Sequence, residues 1–170
     1  MPVQTDVTAL RGILERLEKA TGPSFELDRD IGLAIGGWRQ GDPINDWPIL
    51  IDSAGNGFSD GSGAIYDECF TESLDVALAL AERVLPPINA FAPDSPSSSG
   101  WKINLYRGMT PTGEPHASWE CCIRPHAGRE GWHRAPTAAL AVCVALVSAL
   151  IADRERQRNG RGDGSEGGEG

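Results

Sequence analysis

The sequence predicts an α+β fold, an α/β/α sandwich of about four helices and a small, mainly antiparallel sheet. Three observations carry this. Segments near both ends of the chain repeat apolar residues at helical spacing. Two segments in the second half, Trp101 to Tyr106 and Ala117 to Arg124, alternate apolar and polar residues with period two. The link between those two, Arg107 to His116, contains Gly108, Pro111, Gly113 and Pro115, so the pair reads as an antiparallel hairpin with a long turn.

Helix one is expected from Val7 to Ala20, with Leu10, Ile13, Leu14 and Leu17 as its apolar stripe. Thr5 or Asp6 can cap its first turn. Thr21-Gly22-Pro23 ends it, because proline cannot continue the hydrogen-bond ladder. Helix two starts at Ser24 and carries Leu27, Ile31, Ala34 and Ile35, with Glu26 and Asp28 near its positive end. Gly36-Gly37 stops it. Between Trp38 and Ile65 the pattern weakens. Trp47 to Asp52 reads as a short strand, Ser53 to Gly63 as a loop, and Gly63 to Cys69 as a second short strand. Pro43 and Pro48 suit a sheet edge or an insertion.

Helix three is expected from Thr71 or Ser73 to Leu85, with Leu74, Ala77, Leu78, Ala81 and Leu85 inward. Pro86-Pro87 ends it, and a loop rich in proline and serine follows. Helix four is expected from Pro136 to Arg156. It is so apolar that neighbours should cover most of its surface. The domain organisation is then one domain over residues 1–157, with an insertion at about 38–65. A glycine-rich tail at 158–170 has nothing apolar to bury and is expected to be disordered.

Composition narrows the function. The net charge is −9, which opposes both general nucleic-acid binding and docking on anionic membranes. The stretch Ala135 to Ala152 is shorter than a bilayer span. The first residues lack the basic-then-apolar pattern of a secretory signal, so a cytoplasmic setting is expected. Four cysteines, Cys69, Cys121, Cys122 and Cys143, form no disulfide framework in that setting. Cys121 and Cys122 should face opposite sides of a strand, one in the core and one exposed.

Three stretches resemble a known family: Leu17 to Gly36 (LEKATGPSFELDRDIGLAIG), Tyr66 to Pro86 (YDECFTESLDVALALAERVLP) and Ala135 to Ala152 (APTAALAVCVALVSALIA). Their order and content are similar to the phage ABA sandwich domain proteins. In those proteins a T-G-P-S-x-E-L-D helix start precedes a Y-T-x-S-L-D-x-A-L-x-L helix, and an alanine-rich A-L-x-x-C helix closes the domain. The resemblance implies an α/β/α sandwich from a phage or prophage, acting in the cytoplasm of a bacterial host, with no established activity. The chain departs from the pattern at Trp38 to Gly63 and at Asp67 to Cys69. The matching positions are caps and core residues, which identify a fold rather than a chemistry.

No catalytic set, metal site or cofactor is expected. His116, Cys121, Cys122, His126 and His133 fit no zinc spacing. The glycine loop at 55–63 lacks the lysine and following helix of a phosphate loop. The one candidate site is a cationic segment, Arg124, His126, Arg129, Trp132, His133 and Arg134, leading into the amide-rich start of helix four. In an acidic chain it is the place for a phosphorylated or nucleotide-like ligand; the alternative is a solvated loop. The function expected is therefore non-catalytic binding of a protein partner or a small anionic ligand, for example in counter-defence. The alternatives are an assembly component working as a homo-oligomer, or a nucleotide-processing enzyme using the Arg/His cluster.

Overall fold

The computed structural model describes residues 6–44, 47–59, 66–85, 101–109, 115–125 and 131–160. In these residues the chain forms four helices and two antiparallel three-stranded sheets, an α+β fold. Helix α1 spans Val7–Lys19 and buries Leu10, Ile13 and Leu17. The Asp6 side chain caps it by accepting from the Thr8 amide at 3.2 Å. Helix α2 spans Phe25–Ile31. It does not continue to Gly36 as an α-helix. A π-helical turn, Gly32–Gly36, takes over and ends at Gly37, whose φ of 79° lies in the left-handed region that glycine tolerates. Ser24 makes no side-chain cap bond to α2. Its hydroxyl is bonded to Glu26 instead, and its backbone N–H donates to the Thr71 hydroxyl at 3.0 Å.

The weakly patterned stretch after Trp38 supplies three strands. Strands β1 (Arg39–Ile44), β2 (Trp47–Ile51) and β3 (Gly57–Ser59) form one antiparallel sheet in that order. β3 lies where a glycine loop was expected, and residues 66–69 are not a strand. Asp52 makes the β2–β3 turn. Its carboxylate accepts from the amides of Ala54 at 3.0 Å and Asn56 at 2.8 Å. Trp38 and Phe58 are buried and meet edge-on, with Tyr66 and Phe70 around them, at centroid distances of 5.0 to 5.7 Å. This aromatic cluster joins the small sheet to the helices.

Helix α3 spans Leu74–Val84, capped by Ser73 and buried through Ala77, Leu80 and Ala81. Leu80 takes the fully buried place expected of Leu78, which is half-buried. The second sheet has the order β4 (Trp101–Met109), β5 (Pro115–Pro125), β6 (His133–Ala135). The expected hairpin is present and longer at both strands; β6 was not anticipated. Helix α4, Ala138–Gly160, packs against α1, α3 and this sheet. Every residue from Ala139 to Val147 is buried, so the helix has no polar face there. The helix runs on through Gly160, beyond the expected start of the tail; residues 161–170 lie outside the described residues.

Candidate functional site

The cationic segment is split by the pleat of its sheet. Opposed residues of an antiparallel pair share a face. His133 lies opposite Cys121, on the face that packs against α4. Arg134 lies opposite Glu120, on the outer face. Arg124 has the same strand parity as Glu120 and lies opposite Lys102 on β4. His126 and Arg129 lie outside the described residues. Arg134 Nε donates to the Glu120 carboxylate, so this guanidinium already has an anion. The start of α4 is likewise served from within: Thr137 Oγ1 accepts from the Leu140 amide at 3.2 Å and the Thr137 carbonyl from the Ala141 amide at 3.0 Å. Trp132 is 46% exposed and meets Tyr106, 45% exposed, edge to face at 4.9 Å. The Tyr106 hydroxyl bonds to Glu120, which pushes its pKa up.

The cysteines lie in surroundings that favour the thiol over the thiolate at Cys69, Cys121 and Cys143. All four are free. Cys121 and Cys122 occupy opposite faces of β5 as expected, yet both are fully buried, where one was expected to be exposed. Burial pushes the Cys121 thiol up to about 12 and raises Cys69 and Cys143 as well. Among the described residues no group of three or more His, Cys, Asp or Glu is placed to hold a metal ion, and no helix is long and apolar enough to cross a membrane.

Two polar hubs brace the body. Asp28, read from the sequence as a residue near the positive end of α2, is 1% exposed. Its carboxylate accepts from the Thr71 amide at 2.7 Å and the Tyr66 hydroxyl at 2.9 Å. Burial raises its pKa more than these two bonds lower it. The folded chain then holds the proton more tightly than the unfolded chain. The stability this gives is complete below the ordinary value of 3.8 and is lost as pH rises through the folded value. Asp28→Asn can keep both hydrogen bonds, with its amide donating to the Tyr66 oxygen, and does not titrate. Relative to the unmodified protein, the variant should therefore gain stability as pH rises from the ordinary value of 3.8 through the folded value. Urea unfolding across that range would show it; a constant difference would mean that Asp28 ionises at no cost.

The second hub is Glu68. It accepts from Trp38 Nε1, from the Ser53 hydroxyl and amide, and from Arg83 Nη1 at 3.0 Å. Burial alone would raise its pKa, but the Ser53, Trp38 and Arg83 bonds outweigh it and hold the carboxyl below the ordinary range. The other Arg83 nitrogen donates at 2.8 Å to the Gly36 carbonyl, at the end of the π-turn.

That π-turn forms one wall of a partly enclosed cleft with a volume of about 510 Å³. Its apolar lining comes from Leu33, Ile35, Trp38, Val84 and Leu150. Its polar lining comes from Arg39 at the start of β1 and from Asp153, Arg154 and Gln157 on α4. The α4 members, with Leu150, follow the i, i+3, i+4, i+7 rule and make one face of the helix. π-turns inside helices recur at functional sites, because the extra residue redirects side chains and backbone. A second hollow, between α1 and α2, is an open groove with the Arg16–Asp30 ion pair at its lip.

Sequence reasoning missed the cleft. The GLAIG run reads as plain helix, and the lining residues are separated by more than a hundred positions. No protein-family model, curated protein or solved structure matches the chain.

Proposed function

We propose that the protein works by reversible, non-catalytic binding of a small molecule in the cleft between the π-turn and α4, as a phage or prophage accessory protein. The observation that carries the reading is the cleft itself. Ligand sites are concave, mostly apolar and roughly 300–1,000 Å³ in size, with a few polar groups that set orientation. A cleft of about 510 Å³ with a leucine, isoleucine, valine and tryptophan lining and four polar residues has that composition. The burial of Cys121 and Cys143, which raises both thiol pKa values, supports binding over nucleophilic chemistry. The phage setting rests on the resemblance of Leu17 to Gly36, Tyr66 to Pro86 and Ala135 to Ala152 to the phage ABA sandwich proteins.

The test is a titration with anilinonaphthalene sulfonate followed by amide NMR spectra. The dye combines an apolar body with one anionic group. The amides of Leu33, Gly37, Val84 and Leu150 should shift together and saturate. Shifts clustered around Trp132 and Arg134 would move the site to the outer face of the second sheet. An unchanged spectrum at millimolar dye would remove the binding reading.

A further inference from the structure

Two hollows adjoin on the π-turn. The cleft beside α4 and the open groove beside α1, about 510 and 490 Å³ in volume, share Leu33 and Ala34. On one side of that pair the apolar lining continues through Ala9, Gly12 and Ile13 of α1, and on the other through Val84 and Leu150. The apolar track is thus longer than either hollow. The charged groups along it are already engaged. Arg16 is paired with Asp30. Asp153 accepts from the Gln157 side-chain amide at 2.8 Å. Arg154 has a partner within the chain as well. Arg39, at the start of β1, is exposed to solvent. A charged ligand group therefore gains little here. It would have to break one of these contacts, or meet Arg39 in water, where an ion pair is worth little.

We infer that the two hollows together take one uncharged, elongated aliphatic molecule, lying across Leu33 and Ala34 with one end against Leu150 and the other against Gly12. This inference rests on the reading of the cleft as a ligand site and names what fills it. Recognition is by length and apolar contact, which scale with the surface removed from water. The paired charges form the rim and set no preference for a charged head. Gly12 keeps the α1 end open: a Cβ there would have no neighbour within 4 Å. A leucine at this position would occupy the hollow that Gly12 lines, and it is a better helix former than glycine, so the fold is kept.

Calorimetry on the full chain separates length from charge. Octanol and decanol should each bind one to one, decanol about tenfold more tightly, as burial of two further methylene groups requires. Octanoate and octylamine should bind no more tightly than octanol. Gly12→Leu should abolish the gain from octanol to decanol, leave octanol binding unchanged and not lower the melting temperature. Equal affinities of the unmodified protein for octanol and decanol would overturn the elongated ligand and leave the cleft as a ligand site. A decanol gain that survives Gly12→Leu would do the same. Octanoate or octylamine binding more tightly than octanol would overturn the uncharged ligand. If neither alcohol binds while the dye still shifts the cleft amides, the inference fails and the cleft stands. If neither binds and the dye-titration spectrum is also unchanged, both fail.

Discussion

Val147→Asp should yield no folded protein. Val147 is 1% exposed and closes the stretch of α4, Ala139 to Val147, in which every residue is buried. The positions that share its helix face, Cys143, Val144, Leu150 and Ile151, all belong to the same apolar core, so a carboxylate there would lie beside an apolar stripe. It must either stay charged without a partner or fold only in the protonated form. Either course costs at least about 4 kcal/mol, against a total stability of roughly 5–15 kcal/mol for a domain of ordinary size. Val147→Thr separates charge from shape: its outline is nearly that of valine, and its hydroxyl can bond to the carbonyl one turn back. It should fold with a lowered melting temperature. Circular dichroism after expression of both variants is the measurement. If Val147→Asp gives a native spectrum and an unchanged melting curve, α4 is not the centre of the core.

The weight placed on α4 follows from its neighbours. It touches α1, α3 and all three strands of the second sheet. The first sheet reaches the core through Leu50 of β2 and Phe58 of β3, with Trp38 just before β1. Its brace is polar as well as aromatic: Glu68 ties Trp38, Ser53 and Arg83 together, and Arg83 in turn holds the last carbonyl of the π-turn. The wall of the cleft is thus fixed from behind by a charged network, while its floor belongs to the apolar core. A ligand site needs this kind of support, because a wall free to shift would give up binding energy to ordering.

Legibility in the sequence followed the range of the interactions. α1, α3, α4 and the β4–β5 hairpin were readable because their patterns are local: Leu10, Ile13 and Leu17 repeat at helical spacing, and Trp119, Cys121 and Ile123 alternate. β1 was not, because RQGDPI has one apolar residue and a proline, and it is held by pairing with β2 rather than by burial of its own side chains. β6 has three residues and owes its existence to β5. Asp28 looked like a residue placed for the helix dipole. Its neighbours Leu27 and Ile31 are buried, and only Thr71 and Tyr66, about forty positions away, explain why a carboxylate can join them. The cationic segment was legible as composition but not as geometry. The pleat sends His133 and Arg134 to opposite faces, and Glu120 meets Arg134 from the neighbouring strand.

Gly32→Ala should destabilise the protein strongly although it replaces glycine by the best helix former. A Cβ at position 32 would lie 2.5 Å from Cε3 and 2.7 Å from Cγ of the Trp38 ring. Real side chains do not approach so closely, so the ring or the turn must move. The ring cannot move alone. The Trp38 amide donates at 2.9 Å to the Gly32 carbonyl, its indole donates to Glu68, and its ring packs against Phe58 and Phe70 at 5.0 and 5.5 Å. Overpacking costs about 1–3 kcal/mol and a lost hydrogen bond to a charged group about 1.5–3. The gain in helix propensity returns at most about 1 kcal/mol. The net loss expected from urea unfolding is about 2–4 kcal/mol, with a fall of several degrees or more in melting temperature. A double-mutant cycle identifies the cause. Trp38→Leu alone should also destabilise, by emptying the aromatic cluster. Adding Gly32→Ala to it should cost little more, because the smaller side chain leaves room for the methyl group. Additive losses would place the strain in the backbone of the π-turn rather than in the indole, and an unaffected Gly32→Ala variant would mean that the tryptophan does not lie over residue 32. Because Trp38 also lines the cleft, Gly32→Ala should also weaken any dye binding there.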